Sequence, residues 1–284
     1  MSEQLKESYF AHSHKMVIEP PSGWMPVNLK EVWAYRELLG ILAWRDVSVR
    51  YKQTVAGIGW AIIQPVMTMI IFTIIFGRFA KLPTDGIPYP LFSFCALLPW
   101  NYFSQSLSGS SDSLVGASNL ITKVYFPRLV IPLSRVFGGL IDFAIAFVIM
   151  LGMMVWYGVL PGYGLALLPV FILVSMITAL GVGLWLTALN VKYRDVRFVV
   201  PFLVQFWLYA SPVAYSTSLI PERWRWLYGL NPMVGVIEGF RWALLGKAAP
   251  DFEIMALSLV IIMAILVSGL YYFKKMEQTF ADIV

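Results

Sequence analysis

The sequence predicts an all-α polytopic membrane protein with six transmembrane helices, an N-terminal amphipathic interfacial helix and two short re-entrant helices between the fifth and sixth spans. Of its 284 residues, 59% are hydrophobic and 13% are charged, about half the charged fraction of a soluble domain. The mean hydropathy is +0.72, and six stretches are long and apolar enough to cross a bilayer. This composition excludes a disordered chain, a basic nucleic-acid-binding domain and an ordinary cytosolic enzyme.

The six predicted spans belong to one transmembrane domain over residues 58–273. Each contains about the 20 predominantly apolar residues that a spanning helix needs. Pro99 and two amides interrupt the second span, and the fifth is short, with Pro201 and Pro212 near its ends. The predicted spans are residues 58–77, 89–110, 129–157, 164–189, 198–215 and 252–273.

The distribution of cations predicts that both termini are cytoplasmic. With six spans and a cytoplasmic N-terminus, 15 of the 21 Lys and Arg residues fall on the inner side, in agreement with the positive-inside bias. Residues 1–28 are predicted to form a polar cytoplasmic tail, because they lack the apolar core and cleavage site of a signal peptide. Residues 274–284 are predicted to form a cytoplasmic C-terminal tail.

Residues 29–57 are predicted to form the amphipathic interfacial helix and its lead-in to the first span. Residues 29–51 mix apolar residues with charges at roughly helical spacing. Trp33 and Trp44 would anchor such a helix in the headgroup plane. The alternative is an ordinary soluble helix of a small N-terminal domain.

Residues 111–128, between the second and third spans, are moderately polar and end in Phe-Pro-Arg. This pattern predicts a short helix that stops before Pro127. The length of the segment and its internal apolar residues favour contact with a partner, although a plain loop is the alternative.

Residues 216–250 are too polar and too interrupted to span the membrane. Pro221 and the pair Asn231-Pro232 divide them into two short helices, at 221–230 and 232–246. Their aromatic density is typical of a membrane interface, so we expect short helices that dip into the outer leaflet. The aromatic residues are Trp224, Trp226, Tyr228, Phe240 and Trp242.

The sequence offers no catalytic residue and no metal site. It contains no phosphate-binding loop and no HExxH motif. Its two histidines, His12 and His14, lie in the N-terminal tail, and its one cysteine, Cys95, lies in an apolar run. We therefore expect no cofactor in this chain and no catalysis by this chain alone.

Ionisable residues within the spans are few. Asp142 is the clearest, and an intramembrane carboxylate is a functional candidate by default. The favoured interpretation is structural, because Arg135 lies seven residues earlier on the same helical face and could neutralise it. Glu238 and Arg241, three residues apart, are predicted to form an intrahelical pair. The absence of a chain of acids disfavours a proton-coupled transporter.

Two groups of aromatic and amide residues could line a transport path. Aromatic faces stack on sugar rings, and amides can hydrogen-bond sugar hydroxyls without holding them tightly. The alternative is helix packing or lipid contact, which such stripes serve more often. The candidates are Trp100, Asn101, Tyr102, Phe103 and Gln105 on the second span, and Phe202, Gln205, Phe206 and Tyr209 on the fifth.

Several segments, in this order and spacing, resemble the membrane subunit of polysaccharide ABC exporters, most closely the O-antigen type, with teichoic acid and capsule exporters as relatives. No single motif carries the resemblance, which covers nearly the whole chain after residue 30. The segments are RYKQTVAGIGWAIIQPVMTMIIFTIIFG at 50–77, YPLFSFCALLPWNYFSQSLSGSSDSL at 89–114, NLITKVYFPRLVIPLSRV at 119–136, ALNVKYRDVR at 188–197 and LNPM at 230–233.

The resemblance implies a homodimer of six-span subunits in a bacterial inner membrane, with two separate ABC ATPase subunits on the cytoplasmic side. ATP and Mg would be bound by those ATPases, which fits the missing phosphate-binding loop. The cargo would be a polysaccharide linked to a polyprenyl pyrophosphate. Residues 111–128 would correspond to the segment that couples to the ATPase. The residues expected to dock there are Asn119, Thr122, Lys123, Tyr125 and Phe126.

Arg45, Arg50 and Lys52 precede the first span at the inner surface. Arginine suits bidentate phosphate contact, so these cations are candidates to bind the lipid pyrophosphate. The alternative is that they only follow the positive-inside bias. Rival functions are export of a lipid or drug by the same fold, a membrane-embedded transferase and a proton-driven flippase. The transferase lacks a convincing catalytic carboxylate or histidine.

Overall fold

The computed structural model describes residues 29–52, 57, 59–246 and 251–283. It is all-helical, with 83% helix and no strand among those residues, which confirms the helical class. The predicted tail 1–28 lies outside the described residues, as do parts of the lead-in to the first span and residues 247–250.

Eleven α-helices occur in the described part of the chain, and the third continues as a π-helix over Thr73–Phe79. Short 3₁₀ turns, Tyr163–Leu167 and Thr217–Leu219, precede the seventh and ninth helices. In order, the helices are α1 Leu29–Ala34, α2 Arg36–Lys52, α3 Gly59–Phe72, α4 Tyr89–Gly116, α5 Ser118–Ile121, α6 Val130–Tyr157, α7 Leu168–Lys192, α8 Val196–Ala210, α9 Glu222–Tyr228, α10 Pro232–Leu245 and α11 Phe252–Ile283.

Four helical segments of the described chain are long and apolar enough to cross a membrane. They correspond to four of the six predicted spans. The second and fifth predicted spans coincide with α4 and α8. Helix α4 has the length but not the hydropathy, and α8 has 15 residues, a rise of about 22 Å. The four segments are Gly59–Phe79, Val130–Tyr157, Tyr163–Lys192 and Phe252–Phe280.

Helix α4 is the centre of the fold, packed against α3, α6, α7, α8 and α10. Most of its side chains are buried, including five serines that supply little hydrophobic surface. Small residues let the neighbouring helices approach it closely. A Cβ on Gly183 of α7 would lie 3.0 Å from Ser110 of α4, and Thr187 donates a hydrogen bond to the Ser110 carbonyl at 2.7 Å.

Helices α7 and α11 also make close contact. A Cβ on Gly269 would lie 2.5 Å from the Gly181 carbonyl oxygen, so the contact depends on glycine. One turn further along each helix, the rings of Trp185 and Tyr272 stack with centroids 4.4 Å apart. Trp185 also donates a hydrogen bond from Nε1 to the Ser268 hydroxyl at 3.1 Å.

Several predicted boundaries differ from the observed ones. The interfacial segment is two helices that break at Tyr35, and α4 continues to Gly116 rather than ending at residue 110. Helix α8 ends at Ala210, before Pro212, because proline has no N–H to continue a helix. The sixth predicted span continues as one helix to Ile283, so the predicted C-terminal tail is almost entirely helical.

Candidate transport path and coupling surface

The two predicted groups of aromatic residues lie in different environments. Trp100, Tyr102 and Phe103 on α4 are 3% exposed or less and belong to the hydrophobic core. Tyr102 donates a hydrogen bond to the Val136 carbonyl at 3.0 Å, and the ring of Phe103 packs edge-on against Trp207 of α8 at 5.1 Å. In this conformation, these three rings hold helices together within the subunit.

The aromatic residues of α8 face outward. Phe202, Phe206 and Tyr209 are 74%, 65% and 54% exposed, and Gln205 donates a hydrogen bond to the Tyr209 hydroxyl at 3.2 Å. Phe198, four residues before Phe202, is also exposed, so the row starts one helical turn before the predicted Phe202. Spacings of four, four and three put these rings on one helical face, which we call the α8 stripe: Phe198, Phe202, Phe206 and Tyr209.

The predicted amides of α4 are not part of the α8 stripe. Asn101 and Gln105 line a small notch of about 30 Å³ together with Gln64 of α3 and Asp142 of α6. Such a volume holds about one water molecule. Trp60 forms its rim and is largely exposed. The structure therefore places the α4 amides beside Asp142 rather than in the α8 stripe.

The pairing expected between Arg135 and Asp142 is wrong. Asp142 pairs with Arg50 of α2, which also donates a hydrogen bond to Gln105 at 3.4 Å. Arg135 instead lies 3.1 Å from Asp46 of α2. The physical reason is that α2 packs along α6 and provides each of these two α6 side chains with a nearer partner of opposite charge.

The three cations predicted to bind pyrophosphate differ in their surroundings. Arg45 and Arg50 already have carboxylate partners, Asp46 at 3.1 Å and Asp142 respectively. The Asp46 side chain is only 8% exposed; it accepts a hydrogen bond from Arg45 and forms an ion pair with Arg135. Lys52 is exposed at the end of α2. An anion that bound the Nη1 group of Arg50 would therefore have to compete with Asp142.

The segment 111–128, which we call the coupling segment, presents an exposed strip on a fixed base. Asn119, Thr122, Lys123 and Tyr125 are all exposed. Phe126 is buried in a second hydrophobic cluster with residues of α2 and α11, so it anchors the segment rather than forming its surface. Arg128, two residues after Phe126, contacts α11. Its backbone N–H donates a hydrogen bond to the Glu277 carboxylate at 3.3 Å, and its guanidinium contacts the Glu277 carbonyl.

The predicted pair Glu238–Arg241 is confirmed at 2.9 Å, and it is part of a buried arrangement. Arg241 is 7% exposed, and its guanidinium donates to the carbonyls of Val213 and Tyr215 at 3.2 and 3.3 Å. It also lies 3.7 Å from the ring centroid of Phe92, a cation–π contact. The sequence predicted the pair, but it carried no signal for the carbonyl and ring contacts.

The two helices predicted within 216–250 are confirmed as α9 and α10, and they differ in burial. Helix α10 is almost wholly buried, whereas no residue of α9 is. Asn231 caps α10 by accepting a hydrogen bond from the Met233 N–H at 3.0 Å, and it also accepts one from Trp207 Nε1 of α8 at 2.8 Å. Asn231 therefore connects the end of the α8 segment to this pair of helices.

Tyr228, at the end of α9, donates a hydrogen bond to the Tyr215 hydroxyl at 2.8 Å. Burial, and then this hydrogen bond, raise the pKa of the Tyr228 phenol. The phenol therefore stays protonated, and remains a donor, at physiological pH. Among the described residues, no three His, Cys, Asp or Glu side chains lie close enough together to hold a metal ion.

Long apolar helices around a polar, small-residue centre define a polytopic membrane protein. Residues 37–245 match the ABC-2 type transporter family, and the chain belongs to this family of membrane transport subunits.

Curated relatives agree with this assignment. The chain is 31% identical over 258 residues to the O-antigen export system permease protein RfbA of Myxococcus xanthus, covering 89% of this chain and 98% of that protein. It is 28% identical to the protein of the same name from Klebsiella pneumoniae, covering 87% and 95%. The polysialic acid transport protein KpsM of Escherichia coli is 25% identical, covering 82% and 91%.

Proposed function

We propose that this chain is the transmembrane subunit of an exporter that moves a polyprenyl-pyrophosphate-linked polysaccharide, of O-antigen type, from the cytoplasmic to the outer side of a bacterial inner membrane. A separate ABC ATPase, which binds ATP and Mg, would supply the energy. Family membership supports a transport subunit, and the names of the two RfbA relatives support the glycan cargo. In this arrangement α4 and α8 are the second and fifth of six spans, both termini are cytoplasmic, and α9 and α10 are the re-entrant helices.

The observation that carries the proposal is the exposed α8 stripe. Its rings lie in a row with a hydrogen-bonding amide beside them, a surface suited to weak, repeated contact with sugar rings. Lipid contact alone would not require the amide. Two copies of the chain that face each other across α8 would enclose a path lined by both stripes. We therefore propose a homodimer, with Phe202, Gln205, Phe206 and Tyr209 lining the path.

The α4 residues support that path from behind. Phe103 packs on Trp207, on the partly buried side of α8, and Trp100 packs on Phe103, while Tyr102 packs against α6; through Phe103 these core rings would fix the position of the stripe. Asn101 and Gln105 would contribute through the notch near Asp142. This division of roles assigns glycan contact to α8 and positioning to α4.

The proposal is tested by measuring export in inverted membrane vesicles. The vesicle membrane contains the chain and its ATPase, and radiolabelled undecaprenyl-linked glycan is the cargo. We expect ATP-dependent uptake into the vesicles, and loss of most of it with Phe202→Ala together with Phe206→Ala. Phe79→Ala, an exposed ring outside the stripe, is the matched control and should export normally. Normal export by the double variant, or export by the chain without any ATPase, would contradict the proposal.

The coupling segment is proposed to dock on the ATPase through Asn119, Thr122, Lys123 and Tyr125, with Phe126 as its anchor. Lys123→Glu should reduce co-purification of the ATPase and ATP-driven export together. Lys30→Glu makes the same charge change at an exposed position on α1 and should leave both unchanged. An intact complex with normal export for Lys123→Glu would remove this role from the segment.

Arg45, Arg50 and Lys52 are proposed to contact the lipid pyrophosphate at the inner surface. Because Arg50 is paired with Asp142, binding would exchange one anion for another. Arg50→Ala combined with Lys52→Ala should abolish the stimulation of ATPase activity by the lipid-linked cargo. Unchanged stimulation and export rate would show that these cations only orient the protein.

A further inference from the structure

The inner ends of α4, α7 and α8 enclose an open cavity of about 800 Å³, within the size range of small-molecule sites. Its lining includes Arg194 and Arg197, just before and within the first turn of α8, and Asp112 and Asn190 on the other side. The α4 and α5 side of its lining, which includes Asp112 and Ser118, belongs to the coupling segment, whereas Arg194 and Arg197 lie outside it. We call it the inner cavity.

The charge of the inner cavity favours an anion. Its lining contains two arginines and one carboxylate among the described residues. That carboxylate, Asp112, accepts a hydrogen bond from Asn190 Nδ2 at 3.0 Å, and Asn190 is buried and also donates to the Ser111 carbonyl at 3.0 Å. Asp112 is thus held on the α7 side, while both guanidinium groups are exposed. Paired guanidinium groups are suited to bidentate contact with phosphate.

The inner cavity also opens onto the α8 stripe. Phe198, the first ring of the stripe, lines the cavity, and the Arg197 guanidinium lies 4.7 Å from the centroid of this ring. A cation beside an aromatic face is suited to a ligand that carries a phosphate next to a sugar. A sugar stacked on Phe198 would be one helical turn from Phe202.

We propose that the inner cavity binds a glycosyl phosphate, with the phosphate on Arg194 and Arg197 and the adjoining sugar on Phe198. This inference rests on the proposed function, for which it supplies the place where the sugar-phosphate end of the cargo meets the start of the stripe. A single pyrophosphate occupies one site at a time: Arg45, Arg50 and Lys52 would contact it first at the inner surface, where a carboxylate already pairs with each of the two arginines, and the inner cavity would then hold it at the start of the stripe. An anionic phospholipid headgroup offers the same phosphate chemistry without the sugar.

The test is equilibrium binding to the complete complex of chain and ATPase in phosphatidylcholine nanodiscs. The probe is radiolabelled undecaprenyl pyrophosphate that bears one N-acetylglucosamine. Arg194→Gln with Arg197→Gln should weaken binding about tenfold or more, because it removes two charge-assisted contacts. Lys192→Gln is the matched control, an exposed cation that precedes the same turn but does not line the cavity, and it should bind within about twofold of the wild type.

Two further variants keep the test independent of folding. Arg194→Lys with Arg197→Lys keeps both charges and should restore part of the affinity. Ser118→Trp fills the cavity from its lining on α5 and should weaken binding with both arginines present. Wild-type affinity in the double Gln variant and in Ser118→Trp would overturn the proposal, and so would absence of probe binding to the wild type.

Competition distinguishes the two sources of phosphate. Undecaprenyl phosphate without a sugar and phosphatidylglycerol should each compete poorly with the probe. Equal competition by phosphatidylglycerol would make the cavity a phospholipid site and would overturn the sugar assignment. If the wild-type complex failed to export glycan but still bound the probe through both arginines, the proposed function would fail and the cavity assignment would stand. If the Arg194→Gln with Arg197→Gln variant did not bind the probe but still exported glycan normally, the cavity assignment would fail and the proposed function would stand.

Discussion

Helices α4 and α8 both carry aromatic residues at helical spacing, yet α4 buries them and α8 exposes them. The buried helix is also the less apolar of the two, because serines such as Ser106 and Ser110 lie where glycines of neighbouring helices approach it. Lipid tails are as apolar as a protein interior, so helices in a membrane gain little from burying apolar side chains against each other. The hydropathy of a membrane helix therefore indicates how much lipid it contacts rather than how deeply it is buried in the protein. The helix with the weaker spanning signal is therefore the one that the others pack around.

The largest expected effect follows from this contrast. Phe103→Ala leaves a cavity at the centre of the core and should lower the free energy of unfolding by about 3–5 kcal/mol. Phe202→Ala removes the same ring from the exposed stripe and should change stability by about 0.5 kcal/mol or less. Unfolding of the purified chain in mixed detergent micelles measures both. Similar losses for the two variants would remove the distinction between the helices.

A second expected effect concerns the buried cation beside α4. Arg241→Met deletes a guanidinium that contacts Glu238, two carbonyls and the ring of Phe92. Removing one partner of a buried pair costs about 3–5 kcal/mol, with the lower end expected here because Glu238 retains some solvent contact. Arg223→Met, at an exposed position, should be nearly neutral by the same unfolding measurement. A neutral Arg241→Met would show that the pair does not hold α10 in place.

The close contact of α7 and α11 gives a third, smaller effect. Gly269→Val forces a side chain against the Gly181 carbonyl and should cost about 1–3 kcal/mol, a fall in melting temperature of about 3–10 °C. Gly152→Val on α6 is the control, because a Cβ there meets nothing within 4 Å. A melting temperature for Gly269→Val equal to that of the control would mean that the helices are further apart than the structure places them.

The smallest effect is expected near the C-terminal end of α11. Glu277→Ala removes a carboxylate that contacts Lys274 at 2.6 Å and the Arg128 backbone at 3.3 Å, and should cost about 1 kcal/mol or less. Its readout is local: amide hydrogen exchange over residues 118–128 should accelerate. Gln278→Ala, at the exposed neighbouring position, should leave exchange there unchanged. If both variants exchanged amide hydrogens over residues 118–128 at the wild-type rate, the Glu277 contact would not stabilise the coupling segment.

The periodic and compositional signals predicted the helical class, four of the spans and the two helices of 216–250. These features depend on local sequence, such as the Asn231-Pro232 start of α10. The resemblance of ordered segments predicted the family, which the match over residues 37–245 confirms. The homodimer, the ATPase partner and the roles of the site residues stay predictions.

Side-chain partners were the part that sequence could not supply. Asp142 and Arg135 lie two turns apart on α6, which suggested a pair, but helix-local spacing says nothing about a crossing helix. Helix α2 brings Arg50 and Asp46 to them. Likewise, α4 and α8 each carry a group of aromatic residues, and only the packing of five neighbouring helices against α4 decides which group is enclosed. A partial signal existed for α4, since its serines suit close helix contacts.

Helix α11 has 32 residues and is about 48 Å long, well beyond the roughly 30 Å of a bilayer's hydrocarbon. Near its start, Ser258 donates a hydrogen bond to the Gly229 carbonyl beyond α9, and near its end Glu277 holds Arg128. A single helix thus connects these two contacts. A tilt of about 5° about one end would displace the other by about 4 Å, so a small rotation at the Arg128 contact would move the Ser258 end by several ångströms.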